Sequence, residues 1–166
     1  AISDPVTSIK ANIGDMYNTG LEFQLGGDII RKDDFSWTIT TNWSVLKNEI
    51  TKMPEETPVI TSGTKRREVG RDIYSYWLRQ YAGVDPTDGS ALYIPAEGTA
   101  ADLIRTVNGQ EYVTTITNAK YDYSGTAIPD LIGSINNSFR YKDFGLSFLI
   151  NYQIGGKFYD SQYGGL

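Results

Sequence analysis

The chain has 166 residues, with 20 acidic against 15 basic side chains for a formal net charge of -5, and it contains neither cysteine nor histidine. Without thiol or imidazole there is no disulfide, no thiolate chemistry, no usual zinc ligand and no histidine base, so hydrolytic triads and ordinary zinc sites lack their parts. Basic residues are scattered or partly offset, as Lys65, Arg66 and Arg67 are by Glu68, so no nucleic-acid partner, cofactor or metal is expected.

The opening segment, 1–11, reads as mid-loop sequence with neither an initiator methionine nor a signal peptide, and the chain is expected to be a fragment or a processed product. From Tyr17 the residues alternate. Tyr17, Thr19, Leu21, Phe23, Leu25, Gly27 and Ile29 form one face, and Asn18, Gly20, Glu22, Gln24, Gly26 and Asp28 the other. The period is two residues, that of a strand. A charged turn at 31–34 follows, and the apolar set returns as Phe35, Trp37, Ile39, Thr41, Trp43 and Val45 against Ser36, Thr38, Thr40, Asn42 and Ser44.

Residues 51–129 show little sustained alternation and several Pro, Gly and Asp turn signals, and are expected to be mostly loop with short local structure. Tyr74, Tyr76, Trp77 and Tyr81 lie close together there. Such rings could stack on sugar faces or form a protein interface; the alternative is that they pack the loop onto its support or continue a strand. Asp85-Pro86-Thr87-Asp88-Gly89 lacks the alternating oxygen ligands and distant bidentate Glu of an EF-hand, and reads as a proline-initiated turn. The adjacent acids Glu55 and Glu56 sit in polar loop sequence, with nothing to place two carboxyls at glycosidase separation, and no enzyme is expected.

A second alternating pair closes the chain. Leu131, Gly133, Ile135, Asn137, Phe139 and Tyr141 descend to a turn at Lys142-Asp143, and Phe144, Leu146, Phe148, Ile150, Tyr152 and Ile154 return, with Asn137 and Leu149 breaking the pattern. These runs of about 11–13 residues exceed the five or six usual in soluble sandwiches and match the 9–11 that a membrane-crossing strand needs. Aromatics gather at both ends of the apolar face, and the eight-residue step from Phe35 to Trp43 spans roughly 20 Å of membrane height at a tilt of about 40°. The fold predicted is all-β: an antiparallel transmembrane barrel fragment with a hairpin at 15–48, a long extracellular loop at 51–129 and a hairpin at 130–156, the short turns facing the periplasm. No apolar run approaches the length of a membrane helix, a fact silent on barrels.

Asn18-Thr19-Gly20-Leu21-Glu22, Asp34-Phe35-Ser36-Trp37, Asn42 and Lys47-Asn48 are followed by Val69-Gly70, Tyr81-Ala82-Gly83-Val84-Asp85-Pro86 with Gly89, then Gly125, Pro129, Gly133, Tyr141-Lys142, Leu146-Ser147, Gly155-Gly156-Lys157 and Tyr159-Asp160. In order and spacing this set resembles the carboxy-terminal barrel region of SusC/RagA-type TonB-linked outer-membrane transporters, over Asn12 to Asp160. The resemblance implies part of a plugged barrel of about 22 strands in the outer membrane of a Gram-negative bacterium. It further implies contact with outer-membrane lipid, import of an oligosaccharide or peptide with a SusD-like surface lipoprotein, and power from TonB through a region outside this chain. It carries over no catalytic or binding residue. A reading of another class is a secreted β-rich glycan-binding module that uses the loop aromatics.

Overall fold

The computed structural model describes residues 12 and 14–163; the opening segment 1–11, expected as mid-loop sequence, lies outside the described residues. Among the described residues there are twelve strands, in order β1 (Asp15–Arg31), β2 (Phe35–Lys52), β3 (Val59–Ser62), β4 (Lys65–Glu68), β5 (Ser75–Arg79), β6 (Tyr81–Val84), β7 (Ala91–Tyr93), β8 (Arg105–Val107), β9 (Gln110–Tyr112), β10 (Tyr121–Thr126), β11 (Pro129–Tyr141) and β12 (Phe144–Gly155). Two single-turn 3-10 helices, Ala101–Leu103 and Ile116–Asn118, complete the set, and none of the described residues is α-helical.

The four long strands form one antiparallel sheet in the order β1-β2-β11-β12. Register turns the sequence alternation into rows across that sheet. Gly27, Ile39, Asn137 and Phe148 lie side by side, then Leu25, Thr41, Ile135 and Ile150, then Phe23, Trp43, Gly133 and Tyr152. The facing residues of the other parity, such as Gly26, Thr40, Asn136 and Leu149, line up on the polar side. Rings stack from strand to strand along the apolar face: Phe23 on Trp43 at 5.6 Å, Trp37 on Phe139 at 5.4 Å and Phe139 on Phe148 at 5.9 Å.

Two details depart from simple alternation. The alternation places Ile29 on the apolar face, but the register shifts between Asp28 and Ile30, so that Ile30 opposes Trp37 and Ile29 is the extra residue of a bulge. Asn137 stays on the apolar face, 8% exposed, and its Oδ1 accepts the Trp37 indole N–H at 3.1 Å.

The apolar band ends where Lys47 and Glu49 take the face, paired at 3.0 Å, with the Tyr17 hydroxyl donating to Glu49 at 2.9 Å. From Phe35 to Val45 a strand rises about 33 Å, which at a tilt near 40° is about 25 Å along the membrane normal, the height of an outer-membrane barrel's apolar band. The sheet does not close: β1 and β12 each have one strand neighbour.

The segment between the hairpins is more ordered than the mostly-loop expectation. Eight short strands build a second four-stranded sheet, β10-β5-β4-β3, and the hairpins β6-β7 and β8-β9. Strands of three to six residues are too short for a period of two to stand out. One of them carries a sequence signal: Asn108-Gly109, both with positive φ, forms the two-residue turn of β8-β9. Tyr76, Leu92, Val113 and Ala119 are the buried apolar residues of this insert.

Candidate functional site

The insert sits at the end of the wall where the apolar band stops. Its β4–β5 turn is bonded to β2: the Ile50 N–H donates to the Arg71 carbonyl at 2.8 Å and the Gly70 N–H to the Ile50 carbonyl at 2.9 Å. Buried Asn48 bridges the two parts, its Oδ1 accepting the Ile73 N–H at 2.8 Å and its amide donating to Asn18 at 2.7 Å. Asp72, in the same turn, joins it to the end of β10, accepting from the Tyr74 N–H at 2.8 Å, the Ser75 hydroxyl at 2.6 Å and the Thr126 hydroxyl at 2.7 Å. A cleft of about 380 Å³ lies at this joint, lined by Leu46, Arg71, Tyr123, Ile128 and Asp130 among others. Sequence reading used Asn48 only as a motif residue and missed Asp72; an Asp three residues before a Ser signals a local turn, but nothing in the sequence points to Thr126.

The four aromatics singled out in the sequence do not converge. Tyr76 and Trp77 are consecutive in β5 and so point to opposite faces of the sheet. Tyr76 is buried, 7% exposed, with the Lys65 ammonium 3.1 Å from its ring centre. Trp77 stacks on Tyr121 at 6.4 Å, meets Tyr123 edge-on at 4.9 Å and carries the Arg66 guanidinium at 4.0 Å. Both are held in packing. Tyr74 and Tyr81 are exposed, at 53% and 59%, and Tyr81 meets only Tyr93 edge-on at 5.7 Å among the aromatic pairs formed by the described residues.

Around Trp77 one sheet face alternates cations and rings. Arg79 lies 4.6 Å from the Tyr121 ring centre, and Arg71 lies 4.2 Å from that of Tyr123. Arg66 is paired with Glu68 at 3.0 Å, and Arg79 donates to the carbonyls of Ile116, Thr117 and Ala119. These arginines therefore hold the insert together. Burial pushes the Tyr123 hydroxyl up to about 12, with the nearby Glu68 carboxylate adding to the shift.

The turn at Asp85 is clasped by a cation from its own chain. Buried Asp85 accepts from the backbone and hydroxyl of Thr87 at 2.9 and 2.6 Å, and Arg105 reaches Asp85 at 3.1 Å and Asp88 at 2.7 Å. The Ser90 backbone N–H and then Arg105 hold the Asp88 carboxyl down to about 2. No group of three metal-ligating side chains occurs among the described residues.

No family model matches the chain. Curated relatives do: it is 26% identical to the TonB-dependent receptor P3 of Formosa agariphila over 92% of its own length, and 26% identical to receptor P39 of the same organism over 92%. The chain resembles a segment of a SusC/RagA-type TonB-dependent transporter. It spans 16–18% of the length of those two receptors. Among solved structures it superposes on the RagAB peptide transporter with a TM-score of 0.67 and 24% identity, and on the 'closed-closed' state of the RagAB peptide importer with 0.68 and 22%, each over 87% of this chain and 16% of that one. At such identity the structural likeness carries the fold: an antiparallel segment of a TonB-dependent β-barrel, open at both sheet edges.

Proposed function

We propose that this chain is part of the wall and rim of a TonB-dependent outer-membrane importer. In this reading the odd-numbered face of β1, β2 and β11 and the even-numbered face of β12 meet lipid, the opposite face lines the lumen, and the insert 53–128 stands on the extracellular side. The importer takes up an oligosaccharide or a peptide with a SusD-like lipoprotein, is driven by TonB through another part of the receptor, and carries out no catalysis here. Of the four clustered aromatics, Tyr74 and Tyr81 are exposed and free to touch substrate or lipoprotein, while Tyr76 and Trp77 are held in the packing of the insert.

The observation that carries the reading is the exposed, predominantly apolar face. Leu21, Leu25, Phe144, Leu146 and Ile154 are each 56–79% exposed on one side of a sheet whose other side is mainly polar and whose two edges are bare. A water-soluble module would leave neither such a patch nor two long open edges uncovered, which counts against the secreted glycan-binding alternative. The chain expressed alone should therefore aggregate in detergent-free buffer and disperse only in detergent. A monodisperse, detergent-free monomer that binds sugar would replace the importer with that alternative.

A further inference from the structure

We infer that the insert is latched to the barrel wall at two points, the β4–β5 turn and the end of β10, and moves with the wall as one piece, with no hinge between them. For the insert to swing, both points would have to give. Each carries a glycine in the left-handed region, Gly70 at φ +83° and Gly125 at φ +90°, a conformation in which a chain turns freely. Each is pinned. The Gly70 N–H is spent on the Ile50 carbonyl of β2, and the adjoining Arg71 carbonyl accepts from Ile50 in return. Gly125 is covered by Lys157, whose Cδ and Cε would lie 3.0 and 3.1 Å from a Cβ placed there, while the Lys157 N–H donates to the Thr126 carbonyl at 2.8 Å.

Asp72 ties the two points to each other. Its Oδ1 takes both the Tyr74 N–H of the β4–β5 turn and the Thr126 hydroxyl at the end of β10, 54 residues after Asp72. Asn48 then fixes the turn to the wall through Ile73. Swinging the insert would break the Ile50 pair, the Asn48 bond and the Lys157 bond together. Because Lys157 lies two residues past the end of β12, the latch also couples the chain leaving the wall to the insert. Hydrogen bonds to a carboxylate acceptor are the stronger ones, so Asp72, a positioning residue, is what holds the two latch points together.

The inference takes its setting from the barrel reading, and hydrogen exchange on the assembled receptor tests the two separately. Peptides covering 39–45 report on the wall, and peptides covering 69–75 and 155–158 report on the latch. In the native receptor the latch peptides should exchange as slowly as the wall. In Asp72→Ala they should exchange roughly tenfold or more faster, the loss expected for a charge-assisted bond, with the wall unchanged. Asp72→Asn, which keeps the Oδ1 acceptor but loses the charge and the Oδ2 acceptor for Ser75, should recover part of the protection. If Asp72→Ala does not assemble, Thr126→Val removes the bond between the two latch points and should show the same selective loss. Latch peptides that exchange at free-chain rates in the native receptor, or that are indifferent to both substitutions, overturn the latch while leaving the wall reading intact; unprotected 39–45 would sink the barrel reading instead.

Discussion

Asn137 is the polar side chain that the apolar face has to accommodate. In hydrocarbon an unpaired amide carbonyl is costly, and the sheet meets this by placing Trp37 in the next row with its indole N–H on Asn137 Oδ1. Sequence reading marked Asn137 as an exception and could not see its partner, which lies 100 residues away and is brought close by the β2-β11 register. Trp37→Phe keeps a ring stacked on Phe139 but removes the donor, and should lower receptor stability by about 1–3 kcal/mol. Adding Asn137→Leu should recover most of that loss. The shift in urea midpoint of the single and double variants measures it; an uncoupled, additive pair would mean that the bond contributes nothing.

At the scale of elements, legibility followed length. The long strands showed through because a dozen alternating residues leave little room for another period, and the tight charged turns at 31–34 and 142–143 fixed how they pair. The bulge at Ile29 was hidden, since two adjacent isoleucines fit either parity. The insert's strands are too short to show a period, and one pairing, β5 with β10, joins segments distant in sequence, whereas the Asn108-Gly109 turn announced the hairpin β8-β9. Its aromatics were legible as a cluster but not as two opposed faces. The structure separates their roles: Tyr74→Ala with Tyr81→Ala should reduce substrate uptake or lipoprotein pull-down while the receptor still assembles, whereas Tyr76→Ala should disorder the insert. Uptake and pull-down unchanged in the Tyr74/Tyr81 variant would leave those two rings as ordinary surface.

For the whole molecule, everything rests on which way the four-stranded sheet faces. Ile39 and Phe148 flank Asn137 in one row of the apolar face, near mid-height of the band, and Thr40 and Leu149 flank Asn136 in the adjacent row of the polar face. Leu149 makes the test sharp, because it is as apolar as Phe148 yet lies on the other side and is 57% exposed. Composition alone would rank Leu149→Arg with Phe148→Arg; facing ranks it with Thr40→Arg. The decisive measurement is heat-modifiable folding of the full receptor carrying Ile39→Arg, Thr40→Arg, Phe148→Arg or Leu149→Arg singly. The barrel-wall account predicts that the arginines at 39 and 148 each cost about 2–4 kcal/mol of assembly, while those at 40 and 149 assemble like the parent; equal behaviour within the pairs 39/40 and 148/149 would contradict it.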